Sequence, residues 1–333
     1  MKLFIGLLIV VVVIVLGLGA YVSHFFINAA LFRDSTWFKQ KGHKMMNPDN
    51  FVKTKTEFDK IEERQINEGK QHWQTKMTEE ITLTSKGDQL VAKVFENNPE
   101  STQWVIGVHG YRSNGERDMA YMTKKLNECG YNVLIPDLRA HGKSGGNVIG
   151  MGWLDRLDVE LWVEWLIETH PDCAIVLFGG SMGAATVMMA SGDSLPPQVK
   201  GIVSDCGYTS VRAQFEEMLT GAIKLPSFPI MTFANLFAKA KVGYSLNEAS
   251  SVKQLEKNTL PVLFIHGTED KFVPYAMMEV NKAATQGYVE TLTIPKAPHL
   301  SSWIYDETLY LETLTRFLNH TFNEETKNGY EKQ

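Results

Sequence analysis

Cysteine is scarce in this chain. Three residues in 333, Cys129, Cys173 and Cys206, are too few and too unevenly spaced for a disulfide framework. They read as buried thiols that behave as small hydrophobes, and they leave the redox compartment undecided. An excess of positive charge is also absent. Lys and Arg number 33 against 38 Asp and Glu, for a net charge near −5, so there is no electrostatic case for nucleic acid. Internal repeats and low-complexity tracts are missing too. Hydrophobic content of 44% and charged content of 21% are ordinary for a globular protein. The length suits one α/β enzyme domain built on a large sheet.

Charge is missing altogether from residues 3–22, LFIGLLIVVVVIVLGLGAYV. Twenty residues rising about 1.5 Å each span about 30 Å, the thickness of a bilayer core. A secretory signal has a shorter apolar core and a small-x-small cleavage site. Here Ala20 has Leu18 two positions before it, and no cysteine follows to accept a lipid. Residues 1–23 are therefore expected to be an uncleaved single-pass anchor. Lys2 and the amino terminus favour an inside N-terminus, while Arg33, Lys39, Lys41 and Lys44 pull the other way. The short tail of a signal-anchor stays inside, which places the following domain outside the cytoplasm. Residues 24–77 read as a juxtamembrane connector, amphipathic at first and then charged, with a helix or two packing on the domain. Residues 323–333 form a polar tail.

From residue 78 to 322 the pattern is that of a folded domain. EITLTSKGDQLVAKVF alternates around KGD and reads as an antiparallel hairpin. Six more short apolar runs follow: WVIGVHG, YNVLIPD, AIVLFGG, VKGIVSD, LPVLFIHG and ETLTIP. Several are separated by segments of helical spacing, such as MAYMTKKLNECG and LDVELWVEWLIETH. Apolar strands alternating with helices predict a mostly parallel sheet of eight strands with helices on both faces. Ligands of such sheets sit beyond the carboxyl ends of the strands, and each motif considered next lies at such an end.

AIVLFGG runs into SMGAATVMMAS. Gly179-Gly180-Ser181-Met182-Gly183 is a G-x-S-x-G between a strand and a helix. The glycines let the helix crowd its neighbours while Ser181 is held at a sharp turn with its hydroxyl above the sheet. A serine hydroxyl needs a base, and the base needs an orienting group. Of nine histidines, His24, His43 and His72 precede the domain. His170 and His320 end helices, and His109, His141 and His266 each precede a glycine. His299, in KAPHLSS after the last strand, is the candidate base. The candidate acid is Asp270 in FIHGTEDKFVP, with Glu269 its neighbour and rival. The order serine, aspartate, histidine is the one that accompanies a nucleophile elbow. Backbone amides of Tyr111, after HG at a strand end, and of Met182 are candidates to bind a developing oxyanion.

The motifs HGYRSN, DLRAHGKS, GGSMG, HGTEDKFVP and PHLSS, in that order, resemble the α/β-hydrolase superfamily over about residues 78–320. More narrowly, the chain is similar to membrane-anchored bacterial hydrolases of the Bem46-like and serine-aminopeptidase-like groups. The resemblance implies a serine hydrolase needing neither metal nor cofactor. Its substrate would be a small-molecule carboxylic ester or acyl compound, the alternatives being a peptidase or amidase, acyl transfer, or a silent membrane-tethered scaffold. It implies that Asp137, Arg139 and His141 brace a loop and that Asp205 is structural. It also implies a helical lid over the site at about residues 208–255. The apolar residues there either line an acyl or aromatic pocket or pack the lid down. No catalytic candidate precedes Tyr111, so removal of residues 1 to about 30 is expected to leave an active soluble enzyme. Nothing in the sequence bears on oligomeric state.

Overall fold

The computed structural model describes residues 2–36 and 57–323. Lys39, Lys41 and Lys44 of the connector and the tail after residue 323 lie outside the described residues. In chain order the elements are α1 (Lys2–Leu31), α2 (Glu57–Lys76), β1 (Glu79–Ser85), β2 (Asp88–Phe95), β3 (Gln103–Val108), α3 (Gly115–Glu128) and β4 (Asn132–Asp137). Then come α4 (Asp155–Thr169), β5 (Ala174–Gly180), α5 (Met182–Ala190), β6 (Val199–Asp205), α6 (Val211–Glu217), α7 (Ile230–Val242) and α8 (Ser251–Leu255). The chain closes with β7 (Val262–Gly267), α9 (Ala276–Ala284), β8 (Val289–Ile294), α10 (Ser302–Tyr305) and α11 (Glu307–Asn323).

The eight strands form one sheet in the order β1-β2-β4-β3-β5-β6-β7-β8. β1 and β2 pair antiparallel through the hairpin, and β2 pairs antiparallel with β4. All other pairings are parallel. Lys86 and Gly87 between β1 and β2 both have positive φ, 51° and 91°, the geometry of a two-residue turn whose twist matches the strands.

Alternation along the strands divides the core between two faces. Trp104, Ile106 and Val108 of β3 face one side with Ile175 and Leu177 of β5, packed under α4 and α5. Val105, Val176 and Phe178 face the other, with Trp73 of α2, Leu126 of α3 and Phe317 of α11. α2 is thus part of the second helical layer. Gly69 meets the α3 backbone so closely that a Cβ there would stand 2.5 Å from Tyr121 N.

The N-terminal helix does not end with its apolar run. Among the described residues it is the one helix long and apolar enough to cross a membrane. Residues 3–18 are all exposed, yet Phe26, Ile27, Ala29, Ala30 and Leu31 are buried. Phe26 packs edge-on against Phe215 of α6, ring centroids 5.1 Å apart. The last carbonyls of α1 lack helical partners and find them in the domain. Tyr111 Oη donates to Ala30 O at 2.7 Å, and Arg112 donates to Ala29 O and Phe32 O, both at 2.8 Å. Arg33 reaches on to the carbonyls of Ser144 and Gly142 at 2.7 and 2.8 Å.

The expectation that residues 1 to about 30 are dispensable is corrected by this packing. Burying a side chain such as Phe26 or Ile27 is worth about 1.5–3 kcal/mol, and cutting at 30 would also remove Ala29 O from Arg112 and Ala30 O from Tyr111. A chain starting at Gly19 is predicted to fold with a melting temperature close to that of the full-length protein. One starting at Leu31 should melt lower by about 10 °C or more, which thermal denaturation followed by circular dichroism would show.

Candidate functional site

Four loops at the carboxyl ends of β3, β5, β7 and β8 meet over the sheet. The β5–α5 turn is the tightest. A Cβ on Gly179 would lie 2.2 Å from the Gly183 carbonyl, and one on Gly183 would lie 2.0 Å from Val108 O. Either contact is impossible, so only glycine lets α5 start this close to β3. The turn leaves Ser181 at φ 55° and ψ −115°, a conformation that costs a non-glycine residue of order 1–3 kcal/mol and persists where the surroundings enforce it. Ser181 N donates to Asp205 O at 2.8 Å, which ties the turn to β6.

His299 follows β8 on a loop and is buried with Ser181 and Asp270. Its Nε2 lies 2.9 Å from Ser181 Oγ, and its Nδ1 lies 2.7 Å from Asp270 Oδ2. The partners assign the tautomer: Nδ1–H donates to the carboxylate, leaving Nε2 to accept the serine proton. Asp270 Oδ1 accepts from the amides of Phe272 and Val273 at 2.9 and 2.8 Å. Burial by itself raises the Asp270 carboxyl. The neighbouring His299 and hydrogen bonds from His266 and His299 outweigh it and hold the group well below the usual carboxylate range. Glu269, the rival acid, is exposed, and its amide is spent on Ala297 O at 3.1 Å. Asp270, not Glu269, accepts the hydrogen bond from His299 Nδ1.

Met182 opens α5, so its amide is among the first-turn donors without a partner inside the helix. The loop bearing Tyr111 passes beside the serine, since a Cβ on Gly110 would stand 3.6 Å from Ser181 Cβ. That loop is held from several sides. Gly110 N donates to Asp118 Oδ2 at 2.8 Å, and Arg112 N donates to His141 Nε2 at 2.9 Å. His141 Nδ1 in turn donates to Arg139 O at 2.8 Å, and Arg139 clasps Asp158 at 2.6 and 2.5 Å. Burial, with His109 alongside, pushes the His141 imidazole down to about 3, so it stays a neutral acceptor at neutral pH. Asp137 accepts from the Gly115 and Lys143 amides at 3.2 and 3.0 Å and pairs with the buried Lys93. The bracing role expected for Asp137, Arg139 and His141 is what these contacts describe.

His266 was passed over in sequence as one of several histidines preceding glycine. It is the penultimate residue of β7, with Nε2 2.9 Å from Val273 O and 3.2 Å from Asp270 Oδ2, so one N–H is shared between the loop and the carboxylate. Its position at a strand terminus, four residues before the acid, was the available signal. Arg112 was also missed, and its long-range pairing with α1 has no local signature. Asp205 accepts from Tyr310 Oη at 2.8 Å and from Cys206 Sγ at 3.0 Å, a buried brace. Beside His299 lies a cavity of about 300 Å³ with Met119, Phe178, Leu300 and Trp303 on its apolar wall. Glu62, Glu116, Asp118, Asp205 and Arg117 also line it. Cys206, His266 and Asp270 place three ligand atoms within 4.8 Å of one another. All three are already used in the bonds above, and the two oxygen-bound donors argue against an ion there.

A sequence model of the family described as Hydrolase_4, serine aminopeptidase, S33, matches residues 99–255. The YqkD protein of Bacillus subtilis is 30% identical over 217 residues, covering 65% of this chain and 71% of the relative. The bem46 protein of Schizosaccharomyces pombe is 24% identical over 184 residues, 54% of this chain and 56% of its own. Among solved structures, an esterase of Pyrococcus furiosus superposes with a TM-score of 0.59 at 25% identity, over 73% of this chain and 91% of that one.

The relay sets a contrast between adjacent acids. Asp270→Asn is predicted to lower turnover by about 10⁴, because the amide favours the wrong imidazole tautomer. Glu269→Gln should stay within a few-fold of the parent. Steady-state rates with each variant on one activated acyl ester check this, and reversed effects would assign the orienting role to Glu269.

Proposed function

The chain belongs to the α/β-hydrolase superfamily, and from that premise we propose that it is a serine hydrolase cleaving a carboxylic ester through an acyl-enzyme. The observation that carries the reading is the run of short contacts from Asp270 through His299 to Ser181. It is paired with the strained backbone that aims the serine at the helix N-terminus. Ser181 Oγ attacks the carbonyl carbon as His299 Nε2 takes its proton. The charge on the carbonyl oxygen is met by the amides of Met182 and Tyr111, each donor being worth about 2.7–4 kcal/mol in comparable sites. Collapse of the tetrahedral intermediate expels the alcohol, which leaves with the proton held by His299. Water, deprotonated by the same imidazole, then attacks the acyl-serine and regenerates the enzyme. Asp270 remains ionised and stabilises the imidazolium formed in each half-reaction. Residues 3–22 hold this enzyme at a membrane as a single-pass anchor with the hydrolase on the extracytoplasmic side, and residues 208–255 form its lid.

A second reading, an aminopeptidase, is favoured by the carboxylates around the cavity beside His299. They outnumber the single guanidinium and would attract the free amine of an aminoacyl substrate. Initial rates on a panel of acyl esters of rising chain length and on aminoacyl amides separate the two, with Ser181→Ala as the control. The expected result is turnover of esters, loss of nearly all of it in Ser181→Ala, and amide rates lower by orders of magnitude. Faster cleavage of aminoacyl amides would favour the peptidase. Equal rates for the parent and Ser181→Ala would mean a catalytically silent fold.

A further inference from the structure

α1 and the lid helix α7 lie side by side and run in the same direction. A Cβ on Gly19 would stand 2.4 Å from Pro229 Cγ. Ser23 Oγ donates to Ile230 O at 2.7 Å, the His24 ring meets Phe237 edge-on at 5.7 Å, and Lys241 Nζ donates to Asn28 Oδ1 at 2.6 Å. Residue numbers rise together along the two helices. α7 therefore begins level with Gly19 and ends level with Asn28. The turn that leads into α7 is the part of the lid nearest the apolar stretch of α1.

That level can be placed against a bilayer. Residues 3–18 are exposed all round, and Gly19 is the first buried residue of α1. Sixteen residues at about 1.5 Å each cover about 24 Å, short of a hydrocarbon core of about 30 Å. The apolar run reaches that thickness only by continuing to Val22. Gly19 then lies about 4–5 Å inside the hydrocarbon boundary, and Pro229 lies there with it. The lid residues beside Pro229 suit such a place. Phe228 is 70% exposed, Leu225 is 37% exposed, and Lys224 is the single charged residue between Glu217 and Lys239. A phenylalanine this bare is unfavourable in water. Tyr21, 73% exposed on α1, sits near the same height, where aromatic residues favour the membrane–water boundary.

We infer that the lid turn at residues 225–229 is a second membrane-contact surface, whose partner is the outer edge of the lipid acyl chains in the leaflet where α1 ends. Phe228 and Leu225 enter the hydrocarbon, while the Lys224 ammonium reaches back to the headgroups along its own stem. Burying these side chains adds to the hold of α1 and fixes the rotation of the domain about the anchor. One face of the lid is then pinned by lipid and the other by α1. The inference rests on reading α1 as a membrane anchor.

The test uses the full-length chain in phosphatidylcholine vesicles, with Cys129, which is exposed and not buried as its sequence suggests, replaced by serine. A nitrobenzoxadiazole label is placed in turn at Phe228→Cys, Val10→Cys and Gln286→Cys, the last at the opposite end of the sheet. Lipids with a nitroxide near the top of the acyl chain serve as quencher. The expected result is a blue-shifted emission and strong quenching at Phe228→Cys, quenching at Val10→Cys by nitroxides placed deeper in the chain, and neither at Gln286→Cys. Quenching at Val10→Cys with a water-like, unquenched spectrum at Phe228→Cys overturns the lid contact and leaves the anchor standing. Absence of quenching at Val10→Cys overturns the anchor and the lid contact together. Leu225→Cys, labelled in the same way, guards against a local effect of replacing Phe228.

Discussion

The site depends on how closely the first turn of α5 approaches the end of β3. Gly183 lies against Val108 O with no room for a methyl group, and Gly179 lies against Gly183 in the same way. This contact shortens the path from strand to helix until Ser181 has to adopt a positive φ. The same approach brings the loop bearing Tyr111 beside the serine, where a Cβ on Gly110 would stand 3.6 Å from Ser181 Cβ. A larger residue at either glycine would push α5 outward and separate the serine from both the base and the oxyanion donors. The β7 and β8 loops then supply an acid and an imidazole already fixed in place, Asp270 by two backbone amides and by His266.

The N-terminal helix has two parts. Residues 3–18 are exposed, and its last turns are core. The end of that helix is capped by Tyr111 and Arg112, the residues that adjoin the proposed oxyanion site. A helix end whose carbonyls are satisfied by side chains of a functional loop also restrains that loop. Arg112 is itself at φ 52°, with its amide donating to His141. The end of α1, the loop and the 142–149 segment therefore form one hydrogen-bonded corner. Shortening α1 from its N-terminal side leaves this corner intact, and cutting into the last turns opens it.

Much of this was legible in the sequence because it is local. Strand alternation, the KGD turn, and the small residues around Ser181 each follow from backbone geometry over a few positions, and the structure places eight strands where those patterns predict them. Asp270 and His299 could be chosen because strand ends and chain order narrowed the options. His266 could not be separated from His109 by the same reasoning. Both are histidines before glycine at the end of a strand, and only the fold of the 268–273 loop turns one of them toward the acid. The core role of residues 26–31 was hidden for a related reason. HFFINAALF is amphipathic whether it lies on a membrane surface, on the domain or inside it, and its partner Arg112 is eighty residues away. Several apolar side chains of residues 208–255 resolve toward packing. Phe215, Met218, Leu219 and Met231 are buried in the same cluster as Phe26 and Ile27.

The most direct measurement is a crystal structure of the full-length chain after reaction with a fluorophosphonate. Phosphorus bonded to Ser181 Oγ is predicted, with the phosphoryl oxygen within hydrogen-bond distance of the amides of both Met182 and Tyr111, and His299 still bound to Asp270. An adduct on any other residue, or a phosphoryl oxygen turned away from both amides, would contradict the assignment of nucleophile and oxyanion site.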